Sequence, residues 1–114
     1  MANESTDTLS PLLAALADPT RRAVVEALSR GPAPVSDLAA PYDMALPSFL
    51  KHLDKLEKAG VVTSHKQGRV RICRLRNGGL KPMQDWLARE ERRWARSLDR
   101  LAAHLDTLEK DPKQ

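Results

Sequence analysis

The chain has 114 residues, one cysteine and no apolar run near the roughly 20 residues that span a bilayer, which excludes a disulfide framework and a transmembrane helix. With one Phe, one Tyr and two Trp, its core must come from Leu, Val and Ala, as expected of one small helical domain that gains further burial by dimerising. Nineteen Lys and Arg stand against fifteen Asp and Glu, and the excess is local: Lys66, Arg69, Arg71, Arg74 and Arg76 fall between Val61 and Gly79 with no acid among them. Such a patch suits a phosphate-facing surface.

Residues 1–7 and 110–114 are polar and are expected to be disordered, leaving 8–109 as the domain. The first residues, MANESTDTLSP, have neither the basic start nor the apolar core of a signal peptide, so a cytoplasmic location is expected. A first helix is expected over Leu9 to Leu16, within a dimerisation element at 8–17, with Leu9, Leu12, Leu13 and Leu16 on one face. Asp18-Pro19 starts a second helix: Asp18 can cap its amides, and Pro19 fits the first helical position. Val24, Val25 and Leu28 face inward there, and the helix is expected to end at Gly31, since Pro32 and Pro34 bar its continuation.

Ser36 is the expected N-cap of a short third helix, anchored by Val35 and Leu38, that runs to Ala40. The chain then turns through Pro41-Tyr42-Asp43-Met44 into a fourth helix from about Leu46 to Ala59, ended by Gly60. Phe49, Leu53 and Leu56 form its core stripe, leaving Ser48, Lys51, His52, Lys55 and Lys58 on the complementary face. Hydrogen-bonding groups and cations without bulk are what a groove-reading helix presents, although an amphipathic helix with a solvated face has the same pattern. Two β-prone runs follow, Val61 to Lys66 and Val70 to Leu75, joined by Gln67-Gly68. Val70, Ile72 and Arg74 point to one side of this hairpin, and Arg69, Arg71 and Cys73 to the other. Lys66 and Arg69 at its tip suit backbone phosphate or minor-groove contact.

After Asn77-Gly78-Gly79, a last helix is expected from about Leu80 to Leu108, with Leu80, Met83, Leu87, Trp94, Leu98, Leu101, Leu105 and Leu108 spaced by threes and fours except at Glu90-Glu91. A stripe with little else to cover it is best used as a dimer interface, here expected to join Leu9, Leu12 and Leu13 to Met83, Leu87, Trp94, Leu98, Leu101 and Leu105. Trp86 and Trp94 are expected to pack there or under the first helix. The expected fold is therefore mainly α with one small β-hairpin: four helices, two strands and a final helix. That is the layout of a winged helix-turn-helix (helix-turn-helix 36–59, wing 61–76), dimerising through its N- and C-terminal helices (8–17 and 80–108). Its expected partners are double-stranded DNA and a second copy of itself, with no membrane and no cofactor.

Three separated motifs carry a resemblance to the ArsR/SmtB-type repressors: Ala17-Asp18-Pro19-Thr20-Arg21-Arg22 with the apolar run to Gly31, then Met44 to Val62, then Lys66 to Arg71. The resemblance spans about Leu12 to Leu75. It implies a homodimeric transcriptional repressor that binds an inverted-repeat operator and is released by an inducer, which the sequence does not identify. It assigns DNA contact to Ala45, Leu46, Ser48, Lys51, His52 and Lys55 of the recognition helix and to Lys66, Gln67, Arg69 and Arg71 of the wing.

Two departures follow. The family's recognition helix usually begins Ser-Gln before its Pro, where this chain has Ala45-Leu46. Loss of the Ser removes an N-cap worth about 1 kcal/mol and leaves Leu46 to meet a thymine methyl. Metal-sensing members carry paired cysteines before the turn or Asp/His pairs on the last helix. Here Ser36 to Ala40 has no thiol, and His104 with Asp99 and Asp106 does not make a tetrahedral site. Cys73 beside Arg69, Arg71 and Arg74 has the setting of a redox trigger, but it lacks a resolving partner and also reads as a small buried hydrophobe. The alternatives are a metal- or redox-sensing repressor and a winged-helix protein-interaction module. The acid-free stretch from Val61 to Gly79 argues against the module. No nucleophile–base arrangement and no phosphate loop suggests an enzyme.

Overall fold

The computed structural model describes residues 7–110, and the tails at 1–6 and 111–114 lie outside the described residues. The elements are α1 (Leu9–Leu16), α2 (Pro19–Leu28), β1 (Ala33–Pro34), α3 (Val35–Ala39), α4 (Leu46–Lys58), β2 (Val62–Gln67), β3 (Val70–Leu75) and α5 (Lys81–Lys110). They form two compact units, one up to Met83 and one from Gln84 onward. Asp7 and Lys110, expected in the tails, lie among the described residues. Asp7 accepts the Ser10 amide at 3.1 Å, and α5 continues through Lys110.

The first unit is held together by an aliphatic cluster with one aromatic ring. Leu12, Val24, Leu28, Leu38, Phe49, Leu53, Leu56, Val61, Val62 and Cys73 are all buried, contributed by every element from α1 to β3 except β1. The 46–58 helix forms where expected, with Phe49, Leu53 and Leu56 inward and Gly60 past its end at φ +82°. Asp18 caps α2, its carboxylate accepting the Arg21 amide at 3.0 Å, and Pro19 occupies the first turn.

Two boundaries differ from expectation. The second helix stops at Leu28, with Ser29 at its C-cap, rather than reaching Gly31. Ser36 lies inside α3 rather than capping it, because extended backbone persists through Pro34 and the helix begins at Val35. The reason is a third strand that the expected single hairpin lacked. Ala33 and Pro34 pair antiparallel with Cys73 and Ile72, so the sheet has three strands in the order β1-β3-β2. A proline is tolerated there because an edge strand can leave its missing N–H side unpaired.

The hairpin's register places Val62 opposite Leu75 and Gln67 opposite Val70. Its two-residue turn is therefore Gly68-Arg69, one position later than expected. Gly68 has φ +68° and no non-glycine residue among the described residues has a positive φ, the pattern of a II′ turn. The second unit consists of α5 from Gln84 onward. Trp94, Leu98, Leu101, Leu105 and Leu108 are all more than half exposed, and their spacing of four, three, four and three is that of a heptad seam. No described helix is long and apolar enough to cross a membrane.

Of the residues expected at a dimer interface, Leu12 is corrected. It is fully buried in its own protomer, because Leu12 and Ala15 rather than Leu13 face the core from α1. Met83 packs partly on the same core, while Leu13 and Leu87 keep exposed surface and Leu9 is half-buried.

Candidate nucleic-acid interface

The turn into α4 is built on aromatic packing. Tyr42 stacks on Phe49 with ring centroids 5.8 Å apart, and its amide bonds Ala39 O at 3.0 Å. The stack fixes the first turn of α4, whose start has no side-chain cap. Ala45 stands at the N-cap, and its carbonyl accepts the amides of both Ser48 and Phe49, at 3.0 and 3.1 Å. The tight first turn stands in for the missing hydroxyl.

Ala45, Leu46, Ser48, Lys51 and Lys55 are exposed on this helix, as a groove-reading surface requires. Lys55 sits toward the α1 side, at the rim of a cleft of about 250 Å³ that it shares with Pro11, Ala14 and Arg21. His52 is half-buried, with Nδ1 3.0 Å from the Arg21 guanidinium and 3.8 Å from Asp18 Oδ2. The geometry of α4 explains this: His52 is one turn below Ser48 on the flank nearest α2, where Arg21 and Asp18 supply polar partners. Lys58 is paired with Asp54 at 3.0 Å, so the outward face carries an acid that mutes the helix's C-terminal cation.

On the wing, Lys66, Gln67, Arg69 and Arg71 are all exposed. Lys66 lies directly opposite Arg71 across the ladder, a like-charge pair that is unfavourable alone and that an anion relieves. Arg71 also does structural work. Its NH1 donates to Ser64 Oγ at 2.7 Å, and Ser64 Oγ in turn donates to Glu57 of α4. This relay ties the hairpin to the recognition helix. On the other hairpin face, Arg74 NH2 meets His65 Nδ1 at 3.4 Å.

Two features were missed in the sequence. Leu50 is an exposed leucine on α4, and the Glu57–Ser64–Arg71 relay joins residues far apart in the chain. Spacing from Leu46 gave a signal for Leu50, whereas nothing in the sequence places Ser64 against Glu57. Cys73 is fully buried, and desolvation first, then the Glu57 charge, push its thiol above the ordinary range, with Arg71 opposing. Among the described residues, no three His, Cys, Asp or Glu side chains converge as a metal ion would need.

A helical core, a tight turn, an exposed helix face and a basic two-stranded wing define a winged helix-turn-helix domain. A helix-turn-helix domain family (HTH_20) matches residues 16–65. The chain is 37% identical over 93 residues to the HTH-type transcriptional regulator Rv2034 of Mycobacterium tuberculosis, covering 82% of this chain and 84% of that protein. It is 30% identical over 73 residues to the transcriptional repressor SdpR of Bacillus subtilis, covering 64% and 81% respectively. The crystal structure of an ArsR family transcriptional regulator is 52% identical and superposes with TM-score 0.75, covering 78% of this chain and 98% of that one. The chain belongs to the ArsR family of winged helix-turn-helix transcriptional regulators.

Proposed function

We propose that this chain is a homodimeric repressor that binds an inverted-repeat operator, with α4 in the major groove and the hairpin on the flanking backbone. The observation that carries the reading is the shared exposure of Ser48 and Lys51 on α4 with Lys66 and Arg69 on the wing. Cations placed on two adjoining projections match a groove and the phosphates that border it. The apolar seam of α5 supports dimerisation, since Trp94, Leu98, Leu101 and Leu105 leave it more than half exposed. Two-fold symmetry of the protein calls for two half-sites about one helical turn apart.

The releasing signal in this reading is a non-metal one, on the sequence ground that Ser36 to Ala40, before the turn, carries no thiol. The protein acts in the cytoplasm, on double-stranded DNA, and performs no chemistry on it.

Selection of bound sequences from a random duplex pool, followed by gel shifts across a salt series, tests this reading. A two-fold symmetric motif and an affinity that falls steeply with salt are expected, as counterions are released from each neutralised phosphate. An unstructured pool, or an affinity indifferent to salt, overturns it.

A further inference from the structure

Leu46 and Leu50 stand one turn apart on α4 and expose 54% and 41% of their surface, although this helix buries three other apolar side chains completely or nearly so. Residues four apart share one side of a helix. Nothing in the first unit covers this pair. The floor beside Leu50 is an open cleft of about 180 Å³, shared with Leu53, Asp54, Glu57 and Arg71.

From this arrangement we infer that Leu46 and Leu50 are specificity-determining residues that read the C5-methyl groups of thymines in the major groove. The inference rests on the DNA-binding reading above and deepens it. Charge decides between occupants of this apolar pair. Exposed Lys51 adjoins the pair on the helix, and of the charges lining the cleft Asp54 is held by Lys58 and Glu57 by Ser64, so whatever covers the leucines must also accept the cations Lys51 and Arg71 at its edge. A thymine methyl meets that requirement, because it is the one apolar group on the major-groove edge of DNA and it lies between two phosphate rows. An apolar protein surface does not, since it would desolvate the cations without pairing them. The neighbouring polar group, Ser48, can bond a base edge of either kind and so discriminates little by itself. Sequence preference at the centre of each half-site therefore comes from shape complementarity between methyl groups and two leucines, and the operator carries thymines there.

The test uses the full-length chain and its selected operator, with each thymine replaced in turn by uracil. This deletes the methyl and leaves pairing and groove acceptors unchanged. At one or two positions in each half-site, wild-type affinity should fall about fourfold, the worth of one buried methyl. That loss should disappear in Leu46→Ala or Leu50→Ala, whichever leucine covers the position. Both side chains are exposed, so the variants should keep the wild-type melting temperature, and the wild-type uracil scan decides the matter even if they do not. Uniform tolerance of uracil with salt-sensitive operator binding intact overturns methyl reading and leaves DNA binding standing. Failure to select any operator overturns both. A change in oligomeric state on Leu50→Ala without uracil sensitivity assigns the pair to a protein contact and also overturns it.

Discussion

Arg21 and His52 meet at the junction of α2 and α4, with the guanidinium NH1 3.0 Å from the imidazole Nδ1. A guanidinium only donates, so Nδ1 accepts, and the proton of the neutral ring sits on Nε2. The same arginine donates through Nε to Ala15 O at 2.7 Å and through NH2 to Ala14 O at 3.3 Å. Both carbonyls lie in the last turn of α1, where Ala14 O also accepts the Ala17 amide at 3.3 Å. One side chain thus joins the end of α1, the start of α2 and the flank of α4.

Loss of that junction should be felt in stability before it is felt at the DNA. Arg21→Ala removes three hydrogen bonds and leaves His52 part-buried without its donor, a loss of about 2 kcal/mol at the usual worth of such bonds. Arg21→Lys should recover little of it, since an ammonium cannot reproduce the planar fork. Urea unfolding checks both, and a lysine variant as stable as wild type would mean that charge rather than the fork matters.

Asp18 makes the same junction pH-sensitive. The Arg21 amide bonded to its carboxylate is the main cause that holds it below its ordinary value of 3.8; desolvation opposes this, and the charges of His52, when its ring is protonated, and of Arg21 add to it. A carboxyl lowered in the folded state stabilises fully above its unfolded value. That contribution is withdrawn as pH falls from 3.8 through the lower folded value. Asp18→Asn keeps an N-cap oxygen but cannot titrate, so its melting temperature should fall less than that of wild type below pH 4. Asp18→Ala should be less stable than wild type at neutral pH, where the cap itself is missing. Parallel melting curves at pH 7 and 3 separate the two effects.

How far the sequence disclosed this architecture depends on how local each signal was. Asp18-Pro19, the 49/53/56 stripe and the glycine at the hairpin turn are contained within a few residues, and each forms where its chemistry predicts. β1 was not legible. Two residues, one of them proline, carry no strand periodicity, and their pairing to Ile72 and Cys73 is decided by tertiary packing. His52 shows the same limit. On a helical wheel it shares the outward side with Ser48, and only the approach of Arg21 from another helix gives it a partner within the protein. Leu12 looked like its neighbours Leu9 and Leu13 until the packing of α1 distinguished a core position from a surface one.

Cys73 is expected to be inert. It is fully buried, and burial with the nearby Glu57 charge keeps it protonated at neutral pH. A disulfide reagent at pH 8 should leave the native protein unmodified and label it completely in denaturant. Cys73→Ser should cost about 1–3 kcal/mol, by placing a hydroxyl among apolar neighbours. Rapid labelling of the native chain, with loss of operator binding, would instead make this thiol a trigger.

Gly79 is needed for closeness rather than for backbone freedom. A Cβ there would lie 2.8 Å from Gly60 O and 3.1 Å from both Arg76 O and Val61 Cα, all of them backbone atoms. Those atoms belong to the base of the hairpin, which the Arg76 amide closes onto Val61 O at 2.8 Å. Gly79→Ala must therefore shift backbone, at about 1–3 kcal/mol, the usual range for overpacking. Hydrogen exchange should report the shift as faster exchange of the Arg76 amide, and unchanged protection there would contradict the crowding.

The leucines of α1 and α5 should divide by what each change disrupts. Leu12 is fully buried in the protomer, so Leu12→Ala should cost about 2–5 kcal/mol of folding stability, as core truncations do. Leu101, 53% exposed in the α5 seam, has no packing of that kind to lose in one copy. Leu101→Lys should leave the helical content of the chain intact while sedimentation shows a shift from dimer to monomer. Operator binding should then weaken sharply, because two half-sites no longer share one protein and the second contact loses its effective concentration. A Leu101→Lys chain that remains dimeric would move the interface elsewhere, and a Leu12→Ala chain of wild-type stability would return Leu12 to it.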